Sequence, residues 1–319
     1  IDYPTTMSNN KSKQTSTLEQ LYQLFPGLVE NIEHTYPKHP NPNLPPPKIS
    51  IVLDGGGFSG THIVGALAYI QFLQNQKRLH VQRIAGVSVG AICALLFAIN
   101  RLDLAFDLYP QTRTHFEKYN DLSIVSKQLQ HIQKIIPKDF HKKSKLSISF
   151  FDTKKMKHKT INHFTSNQHI IEIIRRSIHI PWVYDKTILY RDRFIDGLYP
   201  TTFITHPINK CPTIFLNLFN MPWNNMLHVS NRPSTNDTAL EGALLVHRFI
   251  RTGKDNHFCH QFKPFSYHGA IFLIRITITH IIIKLLLWIY KENGPWAKYA
   301  KKNIIKHKNT ILRHFKTII

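Results

Sequence analysis

Acidic residues are scarce in this chain: 19 Asp and Glu stand against 41 Lys and Arg, a formal charge of +22. Such an imbalance favours an anionic partner, and composition alone leaves nucleic acid, an anionic membrane surface and an acidic substrate open. Cysteine is scarcer still. Cys93, Cys211 and Cys259 are odd in number and far apart, which argues against a disulfide framework and for a reducing compartment, hence a cytoplasmic protein. No CxxC or paired Cys/His cluster suggests a metal site, and the 20 histidines are scattered. Residues 1–17 lack the apolar run of a signal peptide. The Lys-rich stretches carry no RNA- or DNA-binding motif, so no nucleic-acid partner is expected.

Glycine is also rare, with 13 in 319 residues, yet seven of them (Gly55, Gly56, Gly57, Gly60, Gly65, Gly86, Gly90) fall between 55 and 90. Glycine is costly in backbone entropy and marks positive φ or close approach of a ligand to the main chain. The surrounding pattern reads strand, glycine turn, helix, strand, tight turn, helix. ISIVLD (49–54) is a β-branched run, THIVGALAYIQFLQNQ (61–76) has helical apolar spacing, HVQRIAG (80–86) is a second strand and VGAICALLFAIN (89–100) a second, buried helix. That order implies an α/β fold, a three-layer sandwich around a mainly parallel sheet.

Outside this centre the expectations are coarser. Residues 1–48 read as a disordered segment with a short helix at 18–29, ending before Pro26, and a Pro-rich linker at 37–48. The catalytic core is placed at 49–220, with a Lys- and His-rich insertion or mobile cover at 111–170 that holds a helix at 122–136. Further elements are a helix at 167–178, a strand pair at 187–190 and 193–196, and a last core strand within 211–219. Residues 221–319 form an extension. Within it, 269–290 is long enough to span a bilayer, but Arg275 and Lys284 make insertion costly, by about 2.5–3.5 kcal/mol each. A buried or membrane-lying segment is therefore preferred over a transmembrane span. Residues 296–319 have the spacing of a basic amphipathic helix, suited to an anionic lipid surface.

The glycines admit two chemistries. Gly55, Gly57 and Gly60 satisfy GxGxxG, but a dinucleotide site needs an acidic residue about 20 positions on. From Thr61 to Leu102 there is none, and no GKS or GKT follows. The second reading is acyl transfer. GVSVG (86–90) is GxSxG between a strand and a helix, a turn that exposes the Ser88 hydroxyl, with Gly86 and Gly90 small enough to avoid collision across it. The amides of Gly55, Gly56 and Gly57 lie at the end of the neighbouring strand, where an oxyanion needs donors. FIDG (194–197) puts Asp196, followed by Gly197, at the end of an apolar strand, where partial burial would raise its basicity.

DGGGFSG (54–60), GVSVG and the later Asp196-Gly197, with SIHIPWVYD (177–185) between, resemble the patatin-like phospholipases. The resemblance implies a Ser88–Asp196 dyad without histidine, an oxyanion hole at Gly55–Gly57, supporting roles for Gly60 and Gly197, and no cofactor or metal. It also implies a glycerolipid or phospholipid substrate. Members often carry Arg or Lys where Ser59 stands, and the uncharged residue is closer to the neutral-lipid lipase branch. Leu198 replaces a further small residue after Asp196-Gly197. Two other readings remain open on the residues alone: an esterase with a Ser-His-Asp triad, and a catalytically inactive membrane-binding relative.

Overall fold

A computed structural model describes residues 17–30, 45–200, 211–219, 234–262 and 267–291. The strand β1 (Lys48–Leu53) is buried at every position after Lys48. Successive side chains of a strand point to opposite faces. Ile49, Ile51 and Leu53 accordingly join the large core cluster, and Val52 packs on the other side with Ala85, Phe215 and Phe272. A strand buried on both faces needs cover on both, which is the layered α/β arrangement expected from the sequence.

The elements follow as α1 (Thr17–Glu30), β1, a 3₁₀ turn at Gly57–Ser59, α2 (Gly60–Asn75), β2 (His80–Val87), α3 (Val89–Ala98), α4 (Asp103–Tyr119), α5 (Ile124–Ile135) and the single turn α6 (Phe140–Lys143). After these come β3 (Leu146–Asp152), β4 (Lys157–Ile161), α7 (Asn167–Ser177), β5 (Phe194–Asp196), β6 (Thr213–Leu216), α8 (Thr235–Thr252), β7 (Cys259–Gln261) and α9 (Tyr267–Lys291). The sheet has seven strands in the order β4-β3-β2-β1-β6-β7, with β5 also paired to β3. Strands β1, β2, β3 and β6 are parallel, while β4, β5 and β7 run antiparallel at the margins.

Several expectations need correction. The helix at 18–29 does not stop before Pro26: α1 runs through it to Glu30. Proline in a helix interior costs about 3 kcal/mol. Burial of Leu21, Phe25 and Val29 offsets that, at roughly 1.5–3 kcal/mol each. The segment expected to be disordered up to residue 48 thus contains a docked helix. The insertion expected at 111–170 contains β3, a strand buried at all seven positions and paired to β2. Alternating serines in LSISFFD break its apolar run, which hid it, but Ser147 and Ser149 are small enough to bury. Of the strand pair at 187–196, only β5 forms, with a single bridge from Tyr190 to Phe194. The extension after 220 supplies α8 and β7 to the core, so β6 is not the last core strand. The amphipathic helix expected at 296–319 lies outside the described residues, as does most of the linker at 37–48.

Helices α2 and α8 meet backbone to backbone. A Cβ on Gly65 would lie 1.7 Å from the Ala239 carbonyl oxygen, and one on Gly242 would lie 2.0 Å from that of His62. Gly65→Ala is therefore expected to cost about 3 kcal/mol or more. Gly27→Ala on α1 meets nothing within 4 Å and should gain about 0.5–1 kcal/mol. Thermal melts of both variants check this, opposite shifts being the expected result.

Candidate active site

One edge of β3 serves two partners. Strand β2 pairs with it up to Val87 opposite Ser149, and β5 takes over at Asp196 opposite Phe150. Because β4 occupies the other edge along the same residues, β5 must continue the line of β2 in the reverse direction. The two strands meet end to end. Ser88 leaves one of them and Gly197 leaves the other, and a Cβ on Gly197 would lie 2.7 Å from Val87 Cγ2. Ser88 and Asp196, 108 residues apart in the chain, are thereby brought to one point by register alone.

Ser88 sits at φ 54°, ψ −130°, between β2 and the first residue of α3. A non-glycine residue there stores strain on the order of 1–3 kcal/mol. The turn closes because Gly86 and Gly90 lack side chains: a Cβ on Gly86 would lie 2.4 Å from Gly90 O, and one on Gly90 would lie 2.5 Å from Asp54 O. The Ser88 amide donates to Ser177 Oγ at 2.9 Å, and that hydroxyl donates to Ser149 O at 2.6 Å. Two residues on, His179 O accepts the Asp196 amide at 2.9 Å. The stretch SIHIPWVYD thus braces both ends of the meeting point.

Asp196 is buried, and its Oδ1 accepts the Leu198 amide at 2.8 Å. Its Oδ2 completes no hydrogen bond of full geometry among the described residues. Burial pushes the carboxyl up to about 6; the Ser88 hydroxyl, the Leu198 amide and the Arg275 charge oppose this, and the Asp54 charge adds to it. The short strand carrying Asp196 is anchored by Arg193, whose Nε and Nη2 donate to Asp152 at 3.0 and 2.8 Å. That bond and Lys159 hold the Asp152 carboxyl well below the usual range despite its burial.

The glycine turn stands beside this pair, a Cβ on Gly55 falling 3.0 Å from Ser88 Cβ. Its amides are not equivalent. Gly55 N–H donates to its neighbour Asp54 Oδ1 at 2.9 Å, so it is not the free donor expected. No acceptor engages the amides of Gly56 and Gly57 among the described residues, and Gly57 turns at φ 50°. Gly60 N–H donates to Tyr109 Oη at 2.8 Å, and that hydroxyl donates to Gly57 O at 2.6 Å. The Val89 amide opens α3, where a helix leaves its first N–H groups unmatched.

Residues 51–202 match the model of the patatin-like phospholipases. Over that stretch the chain is similar to a patatin-like domain. No curated protein matches the sequence. Among solved structures, ExoU, in its heterodimeric complex with SpcU from the type III secretion system of Pseudomonas aeruginosa, is 16% identical with a TM-score of 0.34. The match covers 68% of this chain and 54% of that one, so the chain spans about half the length of ExoU.

The glycine turn belongs to this matching stretch but is held from outside it. Arg275 of α9 donates from Nη1 to Asp54 Oδ2 at 2.7 Å and from Nη2 to Asp54 Oδ1 at 2.9 Å. Its Nη2 also bonds Leu198 O, and its guanidinium lies over the Phe219 ring at 4.5 Å. Both partners of the ion pair are buried. Ser59 is buried too and brings no charge to the turn. Sequence reading missed Arg275, Tyr109, Arg193 and Asp152, which belong to no motif, and gave no role to Ser177 although it opens the stretch SIHIPWVYD. Arg275 did leave a trace, as a cation misplaced in an apolar run.

From Ser88 an apolar cavity of about 110 Å³ extends between α3, α4 and α5, walled by Ile92, Leu96, Leu108, Val125, Leu129 and Ile178. The expected mobile cover thus supplies one packed wall of it, through Val125 and Leu129 of α5. Among the described residues, no imidazole bonds Ser88 or the Asp196 carboxyl. His179 is buried against Thr187 Oγ1 at 3.2 Å, and His158 bonds Tyr199 O at 2.9 Å.

Two outcomes follow from these charges. Folding raises the Asp196 pKa, so its stabilising contribution is complete below 3.8 and is lost as pH rises through about 6. Asp196→Asn should therefore stabilise the protein at pH 8 by on the order of 3 kcal/mol and do little at pH 4, as denaturant titrations at both pH values would read. Arg275→Gln should destabilise by about 3–5 kcal/mol because it leaves Asp54 buried and unpaired. Asp54→Asn added to it should recover part of the loss, which a double-mutant cycle measures.

Proposed function

We propose that this chain is a serine acyl hydrolase that cleaves fatty-acyl esters of glycerolipids through a Ser88–Asp196 dyad. The observation that carries the reading is the end-to-end meeting of Ser88, in its elbow, with a buried, half-bonded carboxylate at the mouth of an apolar cavity. The cavity walls named above are hydrocarbon, suited to an acyl chain and not to a phosphate.

Ser88 Oγ attacks the ester carbonyl while Asp196 Oδ2 accepts its proton. The negative charge moves to the carbonyl oxygen, which the Gly56 and Gly57 amides bind, with Val89 N–H as a further donor. Gly55 N–H keeps the turn in place through Asp54. The tetrahedral species collapses, the C–O bond to glycerol breaks, and Asp196 returns the proton to the leaving alcohol. Water then attacks the acyl-Ser88 ester, losing its proton to Asp196. The acid is released and Ser88 is reprotonated. The carboxyl near 6 suits both halves of the cycle at neutral pH, since a base works best with a pKa near the operating pH.

The enzyme would act at the anionic face of a membrane in a reducing compartment, in keeping with its +22 charge and three free cysteines. The triad reading lacks an imidazole in place among the described residues.

A fluorophosphonate probe and a phospholipid release assay test the proposal together. Wild type should be labelled and release fatty acid, and Ser88→Ala should do neither. Asp196→Asn should slow both by about 10²–10⁴. The wild-type rate should rise with pH through about 6 as Asp196 ionises. Loss of activity on a single His→Ala change, with Asp196→Asn mild, would replace the dyad by a triad. An unlabelled wild type would end the hydrolase reading.

A further inference from the structure

Helix α9 is built inside out for a water-exposed helix. Arg275 and Thr279 are buried on its inner side, and His280 there bonds Tyr199 Oη at 3.2 Å. Phe272, Ile283 and Leu287 fill the gaps against the sheet. The outer side is the apolar one: Leu273, Ile274, Ile278, Ile281, Leu285 and Trp288 recur at helical spacing, three of them (Leu273, Ile274, Ile281) at 60% exposure. The helix has 25 residues, about 37 Å, and no acidic side chain among them. A continuous apolar face of that extent on a folded protein marks an interaction surface.

Resting on the reading of the site as lipid-acting, we infer that the outer face of α9 is the surface by which this protein lies on an anionic bilayer. One side of the helix packs on the sheet between Phe272 and Leu287, so it is a monotopic, in-plane element and not a free-standing span. Lys284 faces outward beside the apolar stripe, where it meets lipid phosphates while its neighbours enter the acyl region. The +22 charge favours an anionic surface and opposes a second copy of equal charge in the same place. The inner side of the same helix ends the argument: Arg275 fixes Asp54 and Leu198 O, so whatever seats α9 also sets the position of the glycine turn and of the residues after Asp196.

The test uses the full chain and vesicles of ether-linked phosphatidylglycerol and phosphatidylcholine, which bind without being hydrolysed. Wild type should co-sediment with the vesicles, and Ile278→Glu/Ile281→Glu should bind about 10²-fold more weakly. Fluorophosphonate labelling of Ser88 verifies that the variant is folded. A diazirine placed in the lipid acyl chain, photolysed with wild-type protein, should mark residues within 273–288 and requires no variant. Unchanged vesicle binding by the double variant, or crosslinks confined to 296–319, would overturn the inference. So would a dimer in sedimentation velocity that the double variant dissolves without loss of vesicle binding. Vesicle binding through α9 with an inert Ser88 would uphold the docking surface and sink the hydrolase reading, so the two failures are distinguishable.

Discussion

Between Ser149 and Phe150 the edge of β3 changes partner from β2 to β5, and the candidate site depends on that exchange. Two strands that continue one another in opposite directions must deliver their last residues to the same place. The elbow after β2 and the turn after β5 therefore face each other without any loop being asked to fold precisely onto a target. What has to be supplied is anchorage. Arg193 on Asp152 fixes the three-residue strand, and Ser177 and His179 hold the backbone of both partners. The cost is visible in the strained φ of Ser88 and the raised pKa of Asp196, two liabilities concentrated where chemistry would use them.

A second constraint acts from the far face of the sheet. Asp54 is a buried carboxylate in the glycine turn, and a buried charge needs a partner of opposite sign. Arg275 meets it 221 residues later in the chain. The residue that makes α9 an expensive transmembrane span is thus the one that makes it a good cover for the sheet. The same helix turns Arg275 and Thr279 inward and a stripe of Leu and Ile outward beside Lys284, the distribution that the proposed seat on lipid requires.

Much of the fold was legible because the glycine-rich centre states its geometry twice: once as strand-turn-helix periodicity, and once as small residues where backbones must touch. Ser88 and the turn residues could be named for that reason, and Asp196 from the Asp-Gly that ends a later apolar strand. The rest resisted for identifiable causes. Strand β3 hides behind Ser147 and Ser149, whose polarity breaks the apolar run while their size permits burial. Helix α1 passes through Pro26 because tertiary burial outweighs local propensity. The unequal roles of Gly55, Gly56 and Gly57 depend on where the Asp54 side chain turns, which spacing does not encode. Long-range partners resist most: Tyr109 has no local signature, and Arg275 shows only as a cation in an apolar run that does not name its partner.

On the proposed mechanism, Ser88 takes up an acyl group whose chain lies in the cavity between α3, α4 and α5 while Gly56 and Gly57 hold the oxyanion. A crystal structure of the protein inactivated by a long-chain alkylphosphonate tests it most directly. The expected adduct has a phosphorus–oxygen bond to Ser88, a phosphonyl oxygen about 3 Å from both glycine amides, and the alkyl chain lying against Ile92, Val125 and Leu129. An adduct on another side chain, or an alkyl chain directed away from that cavity with the glycine amides unengaged, would contradict it.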